Sequence, residues 1–492
     1  MKALFIIPEV EFLGIEALSA LMLQNGINTK LVFDPVLFDD MFLKIPWLAK
    51  AFDSEKAVIQ KVVEYNPDVI LFTLVSDIMP WFKKRAAKIK EIIDVPIIAG
   101  GIHATSVPDR LIKLPYVDYV VTGEGEENLL TLLKCISEGR RYEDIDGIFY
   151  KHNGEVYGNL NKSLLSDLSK YPIPDKELYY SAAPWATKEY NIVVSRGCPN
   201  RCSFCHNNLV AKMWDGKGTY VRHRTVDNAI KELVESKKKY NFTTLRFWDD
   251  NLLSIKPLSR ELLEEYAEKI KVPFRICVHP NTITKEVAKL LARAGCWEVE
   301  MGVQTTNKEG RNMCGRTEDN EMIKNAVKNL KNVGIRTLAD CITYMPGDNS
   351  QISYQTASDL SMIKPYRVIA YTLRYYPRTE IIKYAIEYGL LNQSDVDDIE
   401  EGNYKGSMKL TSLEAKKDKA LHKLAGIIML SPYISKETIR FLEKINAERW
   451  MPDIGEVVQF LNQIRSLFDK HHDVARTARK RYTYYLTKKN CW

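Results

Sequence analysis

Residues 191–207, NIVVSRGCPNRCSFCHN, join a short β-branched run to three closely spaced cysteines. The run NIVVS predicts a buried strand, and the glycine and proline beyond it predict a loop. Three residues separate Cys198 from Cys202, and two separate Cys202 from Cys205. Because thiolates at this spacing can converge from one loop, the stretch predicts a metal centre at the carboxyl end of a strand.

Two kinds of metal centre fit three thiolates from one loop. A structural zinc site needs a fourth ligand. His206 follows Cys205 directly, so its side chain would point away from the three thiolates and is an awkward fourth ligand for a tetrahedral zinc. An iron–sulfur cluster held by three protein thiolates leaves one iron open for an exogenous ligand. The cluster accounts better for a motif that stops at three cysteines.

The strand before the cysteines is the first of six that we predict between residues 189 and 378, each followed by a helix-length segment. The other five are TLRFWD, FRICVH, WEVEMGV, TLADCITY and RVIAYTLRY. This alternation predicts an α/β domain that is a partial TIM-type barrel, (β/α)6. Since catalytic groups in such barrels lie at the carboxyl ends of the strands, the cysteine loop has the position of an active site.

Residues 1–145 show an earlier alternation of apolar strands and amphipathic helices, which predicts a parallel sheet covered on both faces. Ligands of such doubly wound, Rossmann-like domains bind beyond the carboxyl ends of the strands. Three loops follow strands at this edge of the predicted sheet. Ordinary βα turns would explain each loop taken alone, but three such loops on one edge favour a binding site. The candidate binding residues in these loops are Ser76, Asp77, Gly100, Gly101, His103, Gly123, Glu124 and Gly125.

The rest of the chain is predicted to be connecting and helical structure. Residues 35–52 are too long and apolar for a plain turn and predict a packed flap. Residues 146–188 predict a hairpin, with HNG at its turn, and a proline-marked linker. Residues 379–492 predict a helical domain. The basic and aromatic tail 476–492 favours a helix end packed on the barrel over a grip on RNA or an acidic peptide.

The cysteine loop resembles the signature of the radical S-adenosylmethionine (radical SAM) superfamily, which has an aromatic residue before the third cysteine. The matching residues are Cys198, Cys202, Phe204 and Cys205. The resemblance implies a [4Fe–4S] cluster whose free iron binds the amino and carboxylate groups of S-adenosylmethionine. One-electron reduction would then cleave S-adenosylmethionine to methionine and a 5′-deoxyadenosyl radical.

The same resemblance implies roles for other strand-end residues. In FWDDN, Asp249 or Asp250 would receive the methionine ammonium, with simple helix capping as the alternative. In EVEMGVQT, Glu300 or Gln304 would contact the ribose hydroxyls. The turn YMPGD resembles the family's Gly-x-Pro-Gly turn with Tyr344 in place of the first glycine. The role of Tyr344 is open, and it is the candidate catalytic residue.

The first domain resembles the cobalamin-binding domain that is joined to many radical SAM enzymes, notably in AGGIHAT and TGEGEENLL. The Asp-x-His-x-x-Gly motif, whose histidine ligates cobalt in the other cobalamin fold, is absent. We therefore expect His103 to lie in the binding loop without ligating cobalt. The lower face of cobalamin would be left to water or to a residue near Ser76.

Two such cofactors at one barrel imply a cobalamin-dependent radical SAM methyltransferase that methylates an unactivated carbon of its substrate. Some relatives with this domain order perform cyclisation, ring contraction or other rearrangements, and such non-methylating chemistry is the alternative. A third hypothesis, a protein that only senses cobalamin or redox state, would not need the barrel behind the cysteines.

Bulk composition limits the class of protein and its partners. At 492 residues with 45% hydrophobic and 27% charged residues, the chain predicts a folded protein of two or three domains. No apolar stretch reaches the length of about 18 residues that a membrane span needs, and the N-terminus lacks a signal sequence, so we expect a cytoplasmic protein. Nine cysteines in that compartment favour metal ligands or thiols over disulfides.

The expected partners follow from charge and from the resemblance. A net charge of +7 is mild for this length and does not by itself predict nucleic-acid binding, which we do not expect. The resemblance implies an external one-electron reductant such as flavodoxin or ferredoxin. The substrate is unidentified, and a peptide or protein, a lipid and a small natural product all remain open.

Overall fold

Two sheets with helices against their faces organise the chain. A computed structural model describes residues 1–40, 43–140, 145–161, 163–403, 419–455, 457–458, 461 and 473–487. Within these ranges no helix is long and apolar enough to span a bilayer. The predicted α/β class, with a Rossmann-like first domain and a partial barrel after it, is confirmed.

The first sheet has seven strands in the spatial order β2-β1-β3-β4-β5-β6-β7. The strands are β1 (Lys2–Pro8), β2 (Asn28–Asp34), β3 (Val69–Thr73), β4 (Ile97–Gly100), β5 (Tyr119–Val121), β6 (Ile148–His152) and β7 (Glu155–Gly158). Strands β1 to β5 pair in parallel, whereas β6 and β7 form an antiparallel hairpin on β5. The structure thus places the predicted hairpin in the first sheet, although we had grouped it with the linker.

Helices cover both faces of this sheet because alternate strand residues are apolar on both sides. In β1, Ala3, Phe5 and Ile7 enter one apolar cluster, and Leu4 and Ile6 enter the other. The helices are α1 (Leu13–Gln24), α2 (Pro46–Ala51), α3 (Glu55–Tyr65), α4 (Met79–Lys90), α5 (Ile102–Ser106), α6 (Pro108–Leu111) and α7 (Gly125–Glu138). A linker helix, α8 (Lys176–Ala182), leads to the second domain.

The second domain is an open parallel barrel of six strands in sequential order. A two-residue ribbon stands beside it, formed by β9 (Ser195–Arg196) and β10 (Arg222–His223). The barrel strands are β8 (Glu189–Ile192), β11 (Thr244–Phe247), β12 (Phe274–Val278), β13 (Cys296–Gln304), β14 (Arg336–Thr343) and β15 (Arg367–Thr372). All five neighbouring pairs are parallel, as the alternation predicted.

The barrel has seven α-helices among the described residues, and most of them begin at a side-chain cap that the sequence supplies. They are α9 (His206–Met213), α10 (Val226–Tyr240), α11 (Lys256–Lys269), α12 (Lys285–Ala294), α13 (Lys308–Met313), α14 (Asn320–Asn332) and α15 (Ser350–Ile363). The side chains of Thr225, Thr284, Asp319 and Asn349 each accept a backbone N–H from the first turn of the helix that follows. Such caps satisfy otherwise unpaired donors and fix where each helix begins.

Helices make up the described C-terminal part of the chain. They are α16 (Ile381–Glu387), α17 (Gln393–Glu400), α18 (Lys419–Leu430), α19 (Lys436–Lys444), α20 (Ala447–Trp450) and α21 (Asp473–Thr487). Helices α18 and α19 pack on α15 of the barrel. Most of the helix predicted over 454–472 and the end of the tail lie outside the described residues.

Helix α21 packs on the first domain, so our expectation that it would pack on the barrel is wrong. Arg481 Nη1 donates to the Glu9 carbonyl at 2.8 Å, and Tyr482 Oη donates to Asp40 Oδ2 at 2.8 Å. The ring of Tyr484 lies 4.7 Å from that of Trp185 in the linker. Arg481, Tyr482 and Tyr484, three of the basic and aromatic side chains that suggested nucleic-acid binding, are thus used in this contact.

Candidate active site

The three cysteines lie on the loop between the ribbon strand β9 and helix α9, at the carboxyl end of the first barrel strand. Gly197 adopts φ +87°, and a Cβ there would stand 2.5 Å from the Tyr220 carbonyl oxygen, so the turn requires glycine. The backbone at Ser203 anchors the loop, since its N–H donates to Cys314 O at 3.2 Å and its carbonyl accepts from Ile381 N at 3.0 Å.

The cysteines are free thiols with the chemistry of metal ligands. Cys198 and Cys202 are buried and Cys205 is half-buried. Burial raises the pKa of each thiol, to about 12 for Cys205. A bound metal reverses this effect because a coordinated thiol is deprotonated. Among the described residues no three Cys, His, Asp or Glu side chains surround a single-ion position, but a cluster binds each thiolate through its own iron.

Arg316 connects the cysteine loop to barrel strand β13. Its Nη1 lies 3.8 Å from Cys202 Sγ, and its Nη2 donates to the Gly302 carbonyl at 2.5 Å. Its Nε pairs with Glu318, which also lies 3.2 Å from His279 Nε2. Although burial opposes it, the His279 hydrogen bond and the Arg316 charge lower the pKa of Glu318 to about 2. Arg316 could not be predicted from the sequence, because its contact with Cys202 spans more than a hundred residues.

The two neighbouring aspartates after β11 have different partners. Asp249 is buried, and its carboxylate accepts Val194 N at 3.1 Å and both Ser195 N and Ser195 Oγ at 2.5 Å. Burial raises its pKa to about 6. Asp249 therefore fixes the position of Val194 and Ser195, which lead into the cysteine loop. Asp250 is exposed, and its charge adds to burial in raising the pKa of the Cys198 and Cys205 thiols, so it lies near the predicted cluster.

The candidates on β13 also differ from each other. Glu300 accepts Arg246 Nη2 at 2.9 Å inside the barrel. Gln304 has φ +63°, and its amide nitrogen stands 2.7 Å from where a Gly302 Cβ would lie. Gln304 therefore folds over Gly302, beside the Arg316 contact with the cysteine loop, whereas Glu300 is bonded to Arg246 in the barrel interior.

Tyr344 and Phe204 both pack into apolar clusters. Tyr344 is 4% exposed in the barrel core and has φ +63°, the left-handed conformation that suits the glycine of the related turn. Phe204 packs against a smaller cluster that includes Cys314 and Met345. The structure thus shows a packing role for Tyr344, and its catalytic role stays a prediction.

The strand-end loops of the first domain face the barrel. Helix α5, which carries His103, packs against α9, which begins directly after Cys205. His103 Nδ1 lies 2.9 Å from Ser76 Oγ. Burial, with the charge of His206 as a smaller cause, lowers the pKa of His103 to about 4. Asp77 forms an ion pair with Arg374, which follows the last barrel strand.

The acidic loop after β5 joins the first domain to the ribbon beside the cysteines. Glu124 Oε1 lies 3.1 Å from Arg196 Nη1, and Glu124 Oε2 lies 2.7 Å from Arg222 Nη1. Although burial opposes it, the Arg222 hydrogen bond lowers the pKa of Glu124. Gly123 has φ +66°, and its missing Cβ leaves room for the Trp214 ring, which would stand 2.8 Å away. These two predicted cofactor residues therefore hold the domains together.

The other strand-end glycines border a cavity of about 360 Å³ between the two domains. Gly100, Gly101 and Gly125 contribute backbone to its wall, and apolar side chains such as Phe5 and Ile98 contribute the rest. A mostly apolar cavity with exposed backbone at the carboxyl edge of a doubly wound sheet fits part of a large organic cofactor. The residues present therefore fit the predicted cobalamin.

Helix α9 and the loop before it also carry polar atoms suited to a ligand. Ser203 Oγ, His206 Nε2 and Trp214 Nε1 are buried, and in the described part of the chain none of these atoms has a hydrogen-bond partner. The His206 ring lies against that of Tyr376, with 4.6 Å between centroids. Unpaired buried donors and acceptors are uncommon without a ligand or water, so this segment fits a contact with cofactor.

Two family models match the chain in these regions. The B12 binding domain model matches residues 9–133, and the Radical SAM superfamily model matches residues 192–360. An uncharacterised methyltransferase of Pyrococcus horikoshii is 28% identical over 348 residues, which are 68% of this chain and 72% of that protein. An anaerobic magnesium-protoporphyrin IX monomethyl ester cyclase of Rubrivivax gelatinosus is 24% identical, over 72% of this chain and 65% of the cyclase.

Solved structures show the same arrangement of domains. The radical SAM methyltransferase TsrM of Kitasatospora setae, with cobalamin and a [4Fe–4S] cluster bound, matches with TM-score 0.63 and 18% identity over 77% of this chain and 73% of that one. The cobalamin-dependent radical enzyme OxsB matches with TM-score 0.66 and 14% identity over 98% and 83%. At these identities the likeness establishes the fold.

The family models and the geometry agree on what the chain holds. The B12 binding match contains the loops around the interdomain cavity, and the Radical SAM match contains all three cysteines. Its cofactors are a [4Fe–4S] cluster, S-adenosylmethionine and cobalamin, as predicted. The chain belongs to the cobalamin-dependent radical S-adenosylmethionine enzymes and is an enzyme of the radical SAM methyltransferase type.

Proposed function

We propose that this enzyme methylates an unactivated carbon of its substrate. The observation that carries the proposal is the direct packing of α5 on α9, which places the cobalamin-domain loop of His103 against the segment that begins at Cys205. Two cofactor sites that face each other can act in turn on one carbon of a substrate held between them. The relative named as a methyltransferase supports methyl transfer, the coarser part of the proposal.

When bound, the cluster and S-adenosylmethionine supply a radical that abstracts hydrogen, and cobalamin supplies a methyl group. The chain's residues bind and orient these groups. Cys198, Cys202 and Cys205 would hold the cluster. Asp250, exposed beside them, would receive the methionine ammonium, and Gln304, folded over Gly302, would contact the ribose.

We propose that His103 positions cobalamin without ligating cobalt. Its Nδ1 is engaged with Ser76 Oγ, and the ring is 1% exposed between the domains. Its low pKa keeps the ring neutral near pH 7, so it adds no charge to the site. The other predicted binding residues at this edge, including Asp77 and Glu124, would keep the two domains at a fixed separation through their arginine partners.

A one-electron reductant is required by radical SAM chemistry, and we propose flavodoxin or ferredoxin for it. Non-methylating radical chemistry is the second candidate function, because cyclases are among the relatives. The two candidates share the cluster and both domains, and they differ in the fate of the S-adenosylmethionine methyl group.

Anaerobic reconstitution with iron, sulfide and cobalamin tests the proposal. Turnover with methyl-deuterated S-adenosylmethionine and a chemical reductant should yield both 5′-deoxyadenosine and S-adenosylhomocysteine, with the label on the corrin. The matched control replaces all three cluster cysteines by alanine and should lose the first product. Formation of 5′-deoxyadenosine by cobalamin-loaded protein with no S-adenosylhomocysteine would instead support non-methylating chemistry.

A further inference from the structure

The two faces of the barrel sheet have opposite character. On β13, Val299, Met301 and Val303 are fully buried in the core beneath the helices. The alternate residues, Glu298 and Glu300 among them, therefore point into the barrel. The same alternation applies to the neighbouring strands, and the barrel interior is lined largely by charged and aromatic side chains.

One layer of this lining, which we call the tier, lies next to the cysteine loop and is formed by Arg246, Cys277, Glu300 and Asp340. Arg246 Nη2 donates to Glu300 Oε2 at 2.9 Å and lies 3.9 Å from Cys277 Sγ. The Arg246 guanidinium also stacks on the Trp248 ring at 3.5 Å. Asp340 stands opposite Gly302 in the strand register, within hydrogen-bond reach of Glu300. This tier is connected to the cluster loop through the Arg316 contact with Gly302.

The two carboxylates of the tier, Glu300 and Asp340, differ in their hydrogen-bond partners. Arg246 is bonded to Glu300, whereas Asp340 Oδ1 is buried and accepts no hydrogen bond from the described residues. The other charged groups that face this network lie on the layer below, where Arg275 bonds Glu189 at 3.0 Å and Glu298 lies among arginines. Those groups are Glu189, Arg275, Glu298, Arg336 and Arg367.

We propose that this tier binds a cationic nitrogen of the substrate, an ammonium or a guanidinium, between Asp340 and Glu300. The inference rests on the proposed function and names its substrate class. The N–H donors of such a group would satisfy Asp340 Oδ1. Trp248 and Tyr371 are 46% and 38% exposed and offer aromatic surface for the rest of the substrate.

A bound cation and a bound proton would offset the same carboxylate charge in this tier. Burial and the neighbouring Glu300 raise the pKa of Asp340 well above its ordinary value, because an ionised buried carboxylate beside a second one is unfavourable. Arg246 and Arg367 oppose this shift. A cation bound beside Asp340 would favour its ionised form, so we expect cation binding to release protons to the buffer.

Calorimetry with the reconstituted holoenzyme tests the proposal with two probes of matched shape, phenethylamine and phenethyl alcohol. The amine should bind at least about tenfold more tightly, since only its ammonium can offer a charge-assisted hydrogen bond to Asp340 Oδ1. Its enthalpy should differ between phosphate and Tris buffers by the release of up to about one proton at about pH 7. Asp340→Asn keeps the shape of the side chain and should abolish both the preference and the proton release.

Two controls make the outcome decisive. Asp94→Asn removes a carboxylate that is fully exposed on the first domain and should leave binding unchanged. Glu300→Gln should also weaken the preference, which guards against a folding defect in the Asp340 variant. Equal affinity for the two probes, no binding of the amine, or unchanged proton release in Asp340→Asn would overturn the inference. Because binding is read without turnover, such a result leaves the tests of methyl transfer untouched.

Discussion

Replacement of Glu124 by alanine should loosen the attachment of the first domain to the barrel. Glu124 lies 3.1 Å from Arg196 Nη1 and 2.7 Å from Arg222 Nη1, and it accepts Leu165 N at 2.8 Å. Removing one partner of a buried ion pair costs about 3 to 5 kcal/mol. Arg222 keeps two carbonyl acceptors, including Leu165 O at 2.7 Å, so we expect about 3 kcal/mol.

Urea unfolding and hydrogen exchange of the Leu165 segment measure this loss. Glu127→Ala is the matched control, because Glu127 lies three residues away in the first turn of α7 and its side chain accepts one exposed hydrogen bond, from Tyr171 at 2.7 Å. The Glu127→Ala variant should lose about 1 kcal/mol of unfolding free energy or less. The reasoning is refuted if Glu124→Ala unfolds like this control, or if the Leu165 amide exchanges no faster than in the unaltered protein.

Three further predictions follow from the same contacts. Alanine at any of the three cluster cysteines should remove most of the bound iron but leave the circular dichroism of the protein unchanged, and a full iron complement would contradict the assignment. The lowered pKa of His103, about 4, adds stability that is complete above pH 6.5 and lost as pH falls toward 4. His103→Gln should therefore resist acid better, by about 2 kcal/mol at about pH 5 relative to its value at neutral pH, in urea titrations at both pH values. Asp40→Asn should break the buried pair with Arg481 and raise protease cleavage within α21; protection equal to that of the unaltered protein would argue against the contact.

The cysteine loop and the order of the two α/β domains were predictable from local sequence. The three cysteines are close in sequence, so they lie on one loop whatever the rest of the fold is. Strands and helices are predicted from different hydrophobic periods, which are also local. The site residues brought together by tertiary contact were not predictable. Arg316 reaches Cys202 from more than a hundred residues away, and Glu124, predicted to bind cofactor, is engaged by two arginines of the second domain.

The sequence by itself determined the two domain types and the metal-binding loop, because spacing and periodicity are local properties that survive without knowledge of the fold. Only the tertiary structure decided what the charged and polar side chains at the strand ends do. In the fold, Asp249 accepts hydrogen bonds from the backbone before the cysteines, and Asp340 lies in the barrel interior. The fold also places α21 against the first domain instead of the barrel. A carboxylate or an arginine looks the same in sequence in each of these roles, since its function depends on which distant charge the fold places beside it.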